Sequence, residues 1–118
     1  MPRILVVDDD ADTMRLVGYM VELAGYEVDL ARNAREALAL AQSHPPDAIV
    51  LDVMMYEQDG WSLFHELRGL TAAPVTFLTA WRTGENQQKA RELGAAFLTK
   101  PLSPAVLAKQ LASMLGQA

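Results

Sequence analysis

The sequence predicts an α/β fold of three layers, with five parallel strands flanked by five helices. Short runs rich in Val, Ile, Leu and Phe alternate with longer segments whose apolar residues recur at helical spacing. This strand–helix alternation runs through all 118 residues, the pattern of βαβ units with right-handed crossovers.

The elements follow in order. Residues 3–7 (RILVV) form the first strand. The first helix, 12–24, carries Met14, Val17, Met20, Val21 and Ala24 on one stripe, and Gly25 is placed to end it. Asp10 and Asp12 suit the start of that helix as cap and N-terminal anion. Residues 27–31 (EVDLA) alternate polar and apolar, which suits an edge strand. The second helix, 33–43, opens with Asn33 and Glu36, a capping-box-like pair with Asn in place of Ser or Thr. The third strand is 48–51 (AIVL), the third helix 60–68 with Leu63, Phe64 and Leu67, and the fourth strand 75–78 (VTFL). Strands one, three and four are nearly continuous in apolar residues, as expected of strands covered on both faces. Residues 84–93 (GENQQKAREL) have only Ala90 and Leu93 as apolar members. They predict a helix of low local stability, either a plain surface helix or a mobile functional element. Residues 96–98 (AFL) form the fifth strand, and Ser103–Pro104 cap a final helix carrying Leu107, Leu111 and Leu115. Without linkers, repeats or low-complexity stretches, residues 1–118 are expected to form a single domain.

Composition narrows the function. With 51% hydrophobic residues the chain can bury a core, and with no cysteine it has neither disulfides nor thiolate metal sites. No apolar run approaches the ~20 residues that cross a bilayer, and the N-terminus lacks the features of a signal peptide, so a cytoplasmic location is expected. The net charge of −5 argues against direct nucleic-acid binding by this domain.

Open parallel sheets bind ligands beyond the carboxyl ends of their strands. Here those ends carry Asp8-Asp9-Asp10, Asp52, Thr79 and Lys100. Asp8, Asp9 and Asp52 crowd like charge, which disfavours full ionisation. A hard divalent cation such as Mg²⁺ relieves it, and with Lys100 the formal sum becomes zero. Such a site suits phosphoryl transfer, with one carboxylate as nucleophile, the metal and ammonium neutralising the transferring oxygens, and Thr79 donating a hydrogen bond to one of them.

The fragments "ILVVDDD", "PDAIVLDVMM" with "DGW" following, "PVTFLTA" and "LGAAFLTKPLS", in that order, resemble the receiver domain of two-component response regulators over essentially the whole chain. The resemblance implies a flavodoxin-like fold with strand order 2-1-3-4-5. It implies Asp52 as phosphoacceptor, and Asp8, Asp9, Asp52 and the Met54 backbone carbonyl as the Mg²⁺ site. Thr79 matches the switch hydroxyl, Lys100 the lysine that pairs with the phosphoryl group, and Phe97 the aromatic switch position. The Lys100–Pro101 peptide is expected to be cis. The implied function is signal relay. A histidine kinase or histidine phosphotransfer protein donates the phosphoryl group, and an altered face of the fourth helix, fifth strand and fifth helix reaches a downstream effector. No separate turnover substrate is implied, no membrane partner is expected, and a phosphorylation-dependent homodimer is allowed.

The chain departs from that pattern in places. Tyr56 stands where family members often have Pro, which leaves the loop less constrained or lets Tyr56 pack locally. Only Ala96 separates Gly94-Ala95 from Phe97, and Phe97 lacks the hydroxyl of a Tyr. Met54 and Trp81 flank the expected path of hydrolytic water, which predicts slow self-dephosphorylation, unless Trp81 lies on the surface or in an interface. The competing readings are a receiver-like interaction module that works without phosphorylation, a haloacid-dehalogenase-like phosphatase, disfavoured by Met54 where that family has a second Asp, and a flavin carrier, disfavoured by the acidic strand ends.

Overall fold

The computed structural model describes residues 1–55, 59–80 and 84–116. Tyr56 and Trp81 lie outside them. The elements run β1 (Arg3–Val7), α1 (Ala11–Leu23), β2 (Glu27–Ala31), α2 (Ala34–Ser43), β3 (Ala48–Asp52), α3 (Gly60–Arg68), β4 (Val75–Thr79), α4 (Gly84–Glu92), β5 (Ala96–Thr99) and α5 (Pro104–Met114). The five strands are all parallel, in the order β2-β1-β3-β4-β5. Three strands extend one residue beyond their expected ends, taking in Asp52, Thr79 and Thr99. The ladder holds Asp52 opposite Leu78 and Thr79 opposite Thr99.

Side-chain alternation along the strands builds two cores. Ile4, Val6, Val50 and Leu78 point to one face, where they pack with Met14, Val17 and Val21 of α1 and Leu107 and Leu111 of α5. Leu5, Val7, Ile49, Leu51 and Phe77 point to the other, under α2, α3 and α4. β3 and β4 are buried along their whole length, and β2, at the edge, is only partly so.

The helix starts are set by side-chain caps. Asp10 accepts from the Asp12 N–H, Asn33 from Glu36, Asp59 from Ser62 and Ser103 from Val106. The Asn33–Glu36 pair differs from a full capping box. Glu36 Oε1 accepts from the Arg32 N–H at 2.8 Å, one residue before the cap. Gly25 follows the C-cap of α1 with φ +97°, a conformation that favours glycine. As expected, α4 is thinly anchored, with Ala90 its one buried residue and the Lys89 ammonium 5.1 Å above the Trp61 ring. Among the described residues no helix is long and apolar enough to cross a membrane.

Candidate functional site

Because every strand runs the same way, the carboxyl ends of β1, β3, β4 and β5 open onto one edge of the sheet. Asp8 leaves β1 with its N–H still donating to Ala31 O at 3.1 Å. It is 1% exposed, and Asp52, the last residue of β3, is 2% exposed. Asp9 is exposed. One carboxylate oxygen from each of Asp8, Asp9 and Asp52 lies within 4.8 Å of the others.

The two buried carboxylates are held alike. Asp8 Oδ1 accepts from the Asp10 N–H at 2.9 Å and Asp52 Oδ1 from the Met54 N–H at 3.1 Å. Their other oxygens meet one ammonium: Lys100 Nζ lies 2.9 Å from Asp8 Oδ2 and 3.5 Å from Asp52 Oδ2. Lys100 is positioned by its own backbone, whose N–H donates to Thr79 O at 2.8 Å; the Lys100–Pro101 peptide that follows is cis, as expected. Thr79 is fully buried at the same edge.

Among the described residues, one cation, Lys100, faces three carboxylates, which leaves an excess of negative charge. Burial, and then the Asp8 charge, push the Asp52 carboxyl up to about 7. Burial alone would lower the Lys100 ammonium. The hydrogen bond to Asp8 and the Asp52 and Asp8 charges outweigh it and hold Lys100 above its ordinary value. Asp10 has separate work: Thr13 Oγ1 donates to it at 2.5 Å, and this bond holds its carboxyl below the usual range.

The donor set fits a hard divalent cation. The three side-chain ligand atoms are carboxylate oxygens, the type such ions prefer. Asp8 Oδ2 is buried and accepts no hydrogen bond among the described residues beyond its ion pair with Lys100, so it retains capacity for a cation.

The structure thus brings together Asp8, Asp9, Asp52 and Lys100, with Thr79 at the same edge. Met54 contributes its amide to Asp52 while its side chain is 56% exposed. Phe97 sits apart, half-buried on β5 opposite Phe77, lining an open cleft with Gln87, Ala90 and Arg91 of α4. One residue of the site was not singled out from sequence. Gly60 lies against the Asp52–Val53 backbone, and its signal was the "DG" pair behind the acceptor strand.

A five-stranded doubly wound domain with an acidic, lysine-bearing edge of this kind defines a class, and comparison with known proteins places the chain within it. The family model for the response regulator receiver domain matches residues 4–112. The chain belongs to that family. It is 38% identical over 117 residues to the probable transcriptional regulator ycf27 of Porphyra purpurea, covering 98% of this chain and 48% of that protein. It is 40% identical over 104 residues to the alkaline phosphatase synthesis transcriptional regulatory protein PhoP of Bacillus subtilis, covering 86% of this chain and 43% of that protein. Among solved structures, the Vibrio cholerae chemotaxis protein CheY4 superposes with a TM-score of 0.90 at 34% identity, covering 98% and 99% of the two chains. The chain spans about half the length of the curated regulators it matches.

Proposed function

We propose that Asp52 is the phosphoacceptor of a two-component relay, loaded by a histidine kinase or a histidine phosphotransfer protein in the presence of Mg²⁺. The observation that carries this reading is the shared grip of Lys100 on Asp8 and Asp52, 2.9 and 3.5 Å away, beside a third carboxylate. That arrangement suits a site that must accept a group bearing negative charge.

Asp8, Asp9, Asp52 and the Met54 carbonyl would hold the metal. When bound, Mg²⁺ supplies charge neutralisation for the carboxylates and the transferring oxygens. The Asp52 carboxylate forms the new O–P bond as the donor's P–N bond breaks, and the bond pair leaves with the donor imidazole. Lys100 stays within reach of the incoming oxygens because its backbone hangs from Thr79 O. Thr79 donates its hydroxyl to a phosphoryl oxygen, and Phe97 repacks in response. The cleft beside Phe97, bounded by α4, supports that second movement, and the thin anchoring of α4 supports its displacement. The altered α4–β5–α5 face then engages a downstream effector. No separate turnover substrate is required.

Acetyl phosphate with Mg²⁺, followed by intact-mass spectrometry, tests the reading. Wild type should gain one phosphoryl group and Asp52→Asn none. Failure of the wild type to gain it would favour a receiver-like module that works without phosphorylation.

A further inference from the structure

We propose that Gly60 is a positioning residue for the acceptor peptide. The inference rests on the reading of Asp52 as phosphoacceptor. Gly60 is buried at the first position of α3. A Cβ built on it would lie 2.4 Å from Asp52 O, 2.9 Å from Val53 Cα and 3.1 Å from Asp52 C. All three are backbone atoms, so no side chain can swing aside. To reach ordinary contact the two backbones would have to part by about 1 Å.

The close approach has a purpose in the local hydrogen bonding. The Gly60 N–H donates to Val53 O at 2.8 Å, while the Val53 N–H donates to Leu78 O at 3.0 Å. Val53, 3% exposed, is therefore clamped between β4 and the first turn of α3. The Asp52 carboxylate is tied to the same loop through the Met54 N–H. The seat of α3 on the Asp52–Val53 peptide thus fixes where the acceptor carboxylate points, and only a residue without a side chain permits that seat. Asp59 secures it by capping α3, its Oδ1 accepting from the Ser62 N–H at 2.7 Å.

Gly18 supplies a matched control. It too is buried in a helix, but an added Cβ would meet Leu30 Cδ2 at 2.8 Å, the far end of a flexible side chain. Gly60→Ala and Gly18→Ala are compared with wild type by circular dichroism, by phosphoryl uptake from acetyl phosphate and Mg²⁺, and by Mn²⁺ titration with electron paramagnetic resonance. Folded Gly60→Ala should take up phosphoryl about 100-fold more slowly and bind Mn²⁺ about tenfold more weakly. Gly18→Ala should match wild type in both. Wild-type uptake and Mn²⁺ binding in folded Gly60→Ala would overturn the proposal, as would an equal loss in both variants. If Gly60→Ala does not fold, Asp59→Ala loosens the same turn without adding an atom. It should show slower uptake and weaker Mn²⁺ binding, and wild-type behaviour there counts against the proposal. If wild type itself takes up no phosphoryl group, the reading of Asp52 fails, and the Mn²⁺ titration still decides the role of Gly60.

Discussion

Lys100 Nζ and Asp8 Oδ2 are joined at 2.9 Å, across a site where Asp8 is all but closed to solvent. Lys100 is closer to Asp8 than to Asp52, yet its charge serves both. Among the described residues, the charge balance of the site turns on this ammonium.

Removing it should therefore destabilise the metal-free protein. Breaking a buried pair by deleting one partner costs about 3–5 kcal/mol. Lys100 retains 22% side-chain exposure, so water offsets part of that, and Lys100→Met should lose about 1–3 kcal/mol in urea unfolding at neutral pH with chelator. Excess Mg²⁺ should return part of the loss. An unchanged unfolding midpoint would show that the pair contributes little.

Asp52 gives the metal-free protein an uncommon pH dependence. Its carboxyl is raised in the folded state from 3.8 to about 7, so between those values the folded chain holds more protons than the unfolded one. Stability from this group falls as pH rises through the window, by up to about 4 kcal/mol, and the loss is complete above it. Asp52→Asn should unfold later than wild type at pH 8, with the gap closing toward pH 4. Lys100, also raised, acts in a different window, losing its contribution only in the alkaline range above its ordinary value. A constant gap between wild type and Asp52→Asn across pH 4–8 would contradict the burial argument.

A divalent cation should stabilise the fold in proportion to its occupancy. At ten times the dissociation constant the gain is about 1.4 kcal/mol, read as a rise in thermal midpoint with added Mg²⁺. Asp9→Asn should weaken that response at constant Mg²⁺ concentration. Asp9 lies at the exposed side of the cluster, so the folded chain should tolerate the change. An equal Mg²⁺ response in Asp9→Asn would place the cation elsewhere.

Hydrogen exchange should separate α4 from the strands. With Ala90 as its only buried residue, α4 should exchange through local opening well before β3 and β4, which are buried throughout. Lys89→Ala removes the contact with Trp61, worth about 0.5–1 kcal/mol at an exposed site, and should speed α4 exchange about two- to fivefold. Protection of α4 equal to that of β4 would contradict the thin-anchor reading.

Much of this was legible in the sequence because each signal was local or periodic. The apolar runs gave the strands, the caps at Asp10, Asn33 and Ser103 lie where helices begin, and the strand-end rule placed Asp8, Asp52, Thr79 and Lys100 on one edge. What was not legible depends on contacts between distant segments. Nothing in the residue order shows that Lys100 lies nearer Asp8 than Asp52, a difference that exists only once β1, β3 and β5 are assembled in one sheet. Glu36 accepts from the Arg32 N–H, one residue before the position a capping box would use. Arg3 spans Glu27 and Asp29 of the neighbouring strand at 3.0 Å each, a pairing that exists only once β1 and β2 are in register. Gly60 belongs here too, since its close approach to Asp52 requires α3 to be packed.

The central claim is that Asp52 accepts a phosphoryl group under the charge balance set by Asp8, Asp9 and Lys100. Intact-mass spectrometry after incubation with acetyl phosphate and Mg²⁺, followed by mapping of the modified peptide, tests it most directly. The account predicts one phosphoryl group, on Asp52, absent without Mg²⁺ and absent from Asp52→Asn. An unmodified wild type, or the same added mass in Asp52→Asn, would contradict it.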